Sequence, residues 1–153
     1  MVTPLLFNPM KLSPHFTLEE LYYSPTAIRR GIDNTPPDDV RENLRVLCTT
    51  ILEPIRSLAN QGIIITSGYR RLLLNSIIGG SLSSQHITGK AADIHGETLS
   101  VTDLYNLIKG SSIPFDQLIH EFDSWVHVSW DLKPRKQCLI ATKENGKTIY
   151  TND

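Results

Sequence analysis

Thiols are scarce in this chain: Cys48 and Cys138 are its only cysteines. They lie far apart and lack the paired spacing of a structural zinc site, so both are expected as free thiols, one on a helix and one on a strand. Long apolar runs are missing too, so no segment is long enough to span a membrane. The opening "MVTPLLFNPMK" has no basic stretch, and Pro4 and Pro9 interrupt its short apolar run. It is therefore not expected to be a secretory signal, and a substrate outside the cytoplasm would require some other means of delivery. Charge of one sign is not in excess: 15 Lys and Arg stand against 16 Asp and Glu. Without a dense basic face, nucleic-acid binding has no electrostatic support. The mildly basic stretch Lys133, Arg135, Lys136, Lys143 and Lys147 reads as a solvated surface that could touch an anionic polymer. Internal repeats and low-complexity linkers are also absent.

What remains is an ordinary globular composition over 153 residues, enough for one domain with a real core. One domain over 1–153 is expected, with 1–37 as a helical extension packed on it. "HFTLEELYYS" carries Thr17 and Glu20 in the spacing of a capping box, so a short helix starts there and ends at Ser24-Pro25. "TAIRRG" is a second helical piece, stopped by Gly31. Between Asp38 and Asn60, Val40, Leu44, Leu47, Ile51, Ile55 and Leu58 recur at steps of three and four. That spacing predicts one buried helix face, with Asp38 and Asp39 at the favourable end of the dipole and a kink at Pro54. "GIIITSGYR" reads as a buried strand and a turn. "RLLLNSIIGG" and "SVTDLYNLIKG" read as helices, the second capped by Ser100. "FDQLIHE" and "SWVHVSW" alternate and should form a hairpin, and "QCLIATKENGKTIY" a second one around Asn145-Gly146. The class is α+β, a small antiparallel sheet flanked by helices.

Chemistry gathers in "SSQHITGKAADIH". Two of the chain's five histidines, His86 and His95, flank Asp93 here among small and polar residues. Gly89 and two alanines between His86 and Asp93 would let the backbone bring both side chains to one point. His127 lies between valines on a predicted strand. Two imidazoles and a carboxylate suit a catalytic zinc, because three protein ligands leave a fourth position for water, whose pKa falls to about 7. Spacing alone leaves a metal site and an ordinary polar loop equally open.

The pattern S-x-H-x-x-G-x-A-x-D is complete in Ser84, His86, Gly89, Ala91 and Asp93. With "SGYRRLLLNSIIGG" before it and "WVHVSW" after it, the chain resembles the zinc D-alanyl-D-alanine carboxypeptidases and related peptidoglycan endopeptidases, phage endolysins among them. The resemblance runs from about Leu12 to Trp130. It implies a Hedgehog-type zinc peptidase fold with one Zn2+ ion held by His86, Asp93 and His127. It implies that Arg70 grips a substrate carboxylate or carbonyl, which suits a planar guanidinium. Without the motif, Arg70 would read as a surface turn residue. Ser84 matches the motif serine and is expected to support substrate binding.

The general base departs from the pattern. Many relatives carry Glu three residues before the last histidine; here that position is Ser124, which cannot take a proton from water. Glu121 and Asp123 are the acids nearby. Glu121 is favoured as the catalytic base, its spacing resembling the Hedgehog-type branch, while Asp123 suits the turn. His95 is expected outside the ligand set, His120 on the opposite face from Glu121, His15 as structural and Trp130 in the core.

The resemblance thus implies a zinc metallopeptidase cleaving peptidoglycan stem peptides, acting as a D,D-carboxypeptidase or an endopeptidase. The protein is expected to be a monomer, not inserted in a membrane. It would stay cytoplasmic until released to the cell wall, as a phage lysin would be, or be associated with a virion. The missing acid at position 124 keeps a rival open: a catalytically weak or inactive wall-binding or virion module of the same fold.

Overall fold

A computed structural model describes residues 8–153. The first seven residues, and with them most of the opening apolar stretch and the start of the expected extension, lie outside the described residues. Helix α1 (Leu18–Tyr22) opens with the expected box, Thr17 Oγ1 accepting from the Glu20 amide at 3.3 Å and the Glu20 carboxylate from the Thr17 amide at 3.2 Å. Helix α2 (Pro25–Arg30) is capped by Ser24 and closed by Gly31 at φ 64°. Phe16, Leu18 and Leu21 enter the same core as the rest of the chain.

The long amphipathic stretch becomes α3 (Asp38–Leu47), a π-helical turn (Cys48–Leu52) and α4 (Glu53–Ala59). Pro54 has no N–H to give, and its ring would crowd the carbonyl four residues back. The chain answers with a wider turn, in which the Glu53 amide reaches the Cys48 carbonyl. Thr50 Oγ1 donates to the Val46 carbonyl at 2.7 Å. The extra residue in that turn also rotates the buried face. Val40, Leu44, Leu47, Ile51 and Ile55 are buried as expected, and Leu52 joins them, but Leu58 is 44% exposed.

Six strands form one sheet in the order β1-β2-β4-β3-β5-β6. They are β1 (Ile63–Ser67), β2 (Ala91–Gly96), β3 (Gln117–Glu121), β4 (Trp125–Ser129), β5 (Gln137–Glu144) and β6 (Lys147–Asn152). The class is α+β, and both expected hairpins form. One pairing departs from the antiparallel expectation: β5 runs parallel to β3, Gln117 opposite Gln137. Strand β4 ends level with the start of β3. The next strand is laid on the far side of β3 and begins at that same end, so it must run the same way. Helices α5 (Leu72–Ile78) and α6 (Val101–Lys109) complete the fold.

Register sorts the side chains by face, because alternate residues of a strand point to opposite sides. Ala92, Ile94, Leu118, Val126 and Val128 enter the main core with Leu44, Leu47, Ile51, Leu104 and Ile108. Fully burying an aliphatic side chain of this size contributes about 1.5–3 kcal/mol. The other face carries three rows across paired strands. Asp93 stands opposite His127, which faces Ile119, which faces Leu139. Trp125 faces Glu121, then Ala141, then Tyr150. Ser129 follows Ala91, and Gln117 faces Gln137. The helices thus cover one face and leave the histidine-bearing face to form a cleft.

Candidate metal centre and cleft

The motif loop is built around its small residues. Ser84 Oγ accepts from the His86 amide at 3.2 Å, fixing the turn that presents the imidazole. Gly89 sits at φ 75°, and a Cβ there would come within 2.8 Å of Val40 Cγ1 and 2.9 Å of the Val40 carbonyl oxygen. The glycine lets the loop lie flat on α3. Upstream, Tyr69 donates its amide to the Leu21 carbonyl at 2.6 Å, and a Cβ at Gly68 would collide with that same oxygen. Ala91–Gly96 then becomes the interior strand β2, pairing Asp93 with His127.

His86, Asp93 and His127 are all buried, and their ligand atoms lie within 4.8 Å of one another. His86 Nε2 is 3.3 Å and His127 Nδ1 3.0 Å from Asp93 Oδ1. Two ligands of a tetrahedral zinc, at about 2.0–2.1 Å each, stand about 3.4 Å apart. The donor chemistry fits as well as the spacing. His86 Nδ1 donates to the Gly68 carbonyl at 2.7 Å. Burial holds the ring below its usual pKa, so it is neutral and Nε2 presents a lone pair. That lone pair faces a carboxylate oxygen, an arrangement that a cation between them stabilises. Burial opposes the charge on Asp93; a proton on the His86 or His127 ring would outweigh it and hold the carboxyl well below the usual range. The residues present fit a zinc ion.

Around the cluster lies a cleft of about 760 Å³. Arg70 lines it, with its amide bonded to the His86 carbonyl at 3.1 Å and its Nε buried without a partner among the described residues. Burial pulls the guanidinium below its usual pKa, while Asp93 and Glu121 pull the other way. Glu121 lines the same cleft. Burial pushes its carboxyl above the usual value, with Asp93 adding to the effect and His127 and Arg70 opposing it. Ser84 is at the rim, its hydroxyl engaged with the loop backbone.

Asp123 is not brought to the cleft: it stands in the β3–β4 turn at φ 54°, its side chain 77% exposed. His95 is bound to its own neighbour, Nδ1 to the Gly96 carbonyl at 3.0 Å. His120 turns to the other face, 3.1 Å from Thr102 Oγ1, and His15 bonds Glu53 at 2.8 Å. Trp130 is in the core, donating to the Asn43 carbonyl, while Trp125 lines the cleft.

Two features had no sequence signal. Asp116, 1% exposed, accepts from Arg135 through Nε at 2.9 Å and Nη2 at 2.7 Å, and from Gln85 Nε2 at 2.9 Å. It therefore anchors the residue before His86 to the crossover ahead of β5. These partners are 19 and 31 residues away, beyond any local pattern. Tyr150, on the last strand, also lines the cleft. A strand period alone would have put it on some face, but only the β3–β5 pairing says which.

Among known proteins, the sequence model of one family, described as Peptidase M15, matches residues 14–129. No curated protein matches the chain.

Proposed function

The chain belongs to the peptidase M15 family, and from that premise we propose that it hydrolyses a peptide bond in peptidoglycan stem peptides with one zinc ion. Peptidases of this family are zinc-dependent. The observation that carries the reading is the convergence of His86, Asp93 and His127 in a cleft that Arg70 and Glu121 also line. His86, Asp93 and His127 would hold the ion. When bound, zinc supplies Lewis acidity, lowering the pKa of water to about 7 and polarising a peptide carbonyl.

The chain's own residues do the rest. Arg70, with an uncommitted Nε, grips the peptide by a terminal carboxylate or an internal carbonyl and so orients the scissile bond. Glu121 takes a proton from the attacking water and passes it to the leaving amine. A carboxylate raised by burial is a better base for this than an exposed one. Ser84 shapes the rim and supports the substrate beside His86. The proposal extends to the setting: a monomer acting at the cell wall in the manner of a phage lysin.

The test is digestion of purified cell walls by the zinc-loaded protein, with mass spectrometry of the released muropeptides. Release that stops with chelator is expected, and the masses identify the bond. Glu121→Gln should keep its zinc and lose about 10²–10⁴-fold in kcat. Wild-type digestion by that variant would remove Glu121 as the base. Zinc binding and wall binding without any release would favour a non-catalytic wall module instead.

A further inference from the structure

Strands β5 and β6 lie beyond the matched segment, which ends at residue 129. They nevertheless complete the cleft. Tyr150 on β6 lines it together with Asp93, Glu121 and His127. The register places it in one row: Glu121 opposite Ala141, and Ala141 opposite Tyr150. Adjacent strands are about 4.8 Å apart, so the Glu121 and Tyr150 backbones are about 10 Å apart. The residue between them in that row is Ala141, whose side chain is a single methyl group.

The position is held firmly. At the end of β6, Asp153 accepts from the Tyr105 hydroxyl at 2.9 Å and from Lys109 Nζ at 2.7 Å, both on α6. Its amide reaches the Cys138 carbonyl at 3.1 Å. The tie fixes the outer hairpin to the body of the domain. The Tyr105 hydroxyl is committed there; that of Tyr150 has no protein partner among the described residues.

We propose that Tyr150 is a catalytic residue of this hydrolase, donating a hydrogen bond from its phenol to the carbonyl oxygen of the peptide bond under attack. It does so from the sheet edge opposite that of Arg70, which follows β1. The inference rests on the peptidase reading above. Partial burial of a residue that stays 54% exposed, and behind it the charges of Glu121 and Asp93, push the Tyr150 phenol above its usual pKa. It therefore stays protonated at working pH and acts as a donor. The proton remains on the phenol throughout; the one transferred is carried by Glu121. A donor of this kind strengthens its bond as negative charge gathers on the oxygen, so its effect belongs to the transition state.

The experiment compares zinc-loaded wild type, Tyr150→Phe and Tyr150→Ala on purified walls and soluble muropeptides. Affinity for a phosphinate dipeptide, a tetrahedral mimic, is measured beside turnover. For Tyr150→Phe the expected result is a loss of about 10²-fold in kcat with KM within about twofold. Its affinity for the phosphinate should fall in parallel, while zinc content and melting temperature stay at wild-type levels. Tyr150→Ala should lose a similar factor in kcat, since the ring itself is not the donor. Wild-type kcat in Tyr150→Phe overturns the proposal, as does a loss confined to KM, which would make Tyr150 a binding contact. If the wild type releases nothing, the peptidase reading fails and takes this inference with it. If the wild type and Tyr150→Phe turn over alike, only the tyrosine assignment falls.

Discussion

Replacing Asp116 with asparagine is expected to destabilise the metal-free protein by about 2 kcal/mol at neutral pH and by almost nothing near pH 1. Two side-chain bonds from Arg135 are the main cause that lowers the Asp116 carboxyl from 3.8 to about 2, with the Arg135 amide and Gln85 assisting against burial. A difference of nearly two pKa units, at about 1.36 kcal/mol per unit, sets the size of the effect. The sign follows from linkage. The folded protein holds this group's pKa below the unfolded value, so between about 4 and 2 the unfolded chain binds more protons. The stabilisation is complete above about pH 5, roughly half is left at pH 3, and it is gone once both states are protonated. Other carboxylates titrate in the same range, so the quantity to follow is the difference between wild type and Asp116→Asn. Urea unfolding of both proteins in chelator, from pH 7 to the lowest pH at which they still fold, measures it. The difference should shrink steadily as pH falls. A difference that is absent at pH 7, or that stays constant with pH, would refute the view that an ionised, buried Asp116 locks Gln85 to Arg135.

Three further outcomes test the framework of the site. Gly89→Ala must adopt a positive φ and push against Val40, so a loss of about 2–4 kcal/mol is expected by chemical denaturation. His86→Ala and Asp93→Ala should each lose stoichiometric zinc by metal analysis while retaining the far-ultraviolet dichroism of the fold; full zinc content in either would break the ligand assignment. Burial pushes the Cys48 thiol up to about 12. At pH 8 an aromatic disulfide reagent should therefore modify the half-buried Cys138 in the native protein and reach Cys48 only after unfolding.

Much of this molecule is determined locally and was legible along the chain. The Thr17–Glu20 box, the Ser100 cap and the Asn145-Gly146 turn depend on residues within a few positions of each other, and each forms. The His86–Asp93 spacing was readable for the same reason: one tight loop, made possible by Gly89, carries His86 and leads directly into the strand that carries Asp93. What local pattern could not supply was which strands become neighbours. The parallel seating of β5 beside β3 is a choice among sheet edges, decided by where the chain stands when β4 ends. That choice carries Tyr150 into the row of Glu121 and sets Arg135 beside the buried Asp116. The π turn ahead of Pro54 has a local cause, but the proline by itself predicted a kink; the extra residue taken up instead rotates the helix face, exposing Leu58 while burying Leu52. Short-range chemistry thus prescribed the caps, the turns and the motif loop. The walls of the cleft were decided by long-range pairing, because side chains on different strands meet only after the sheet has closed its register.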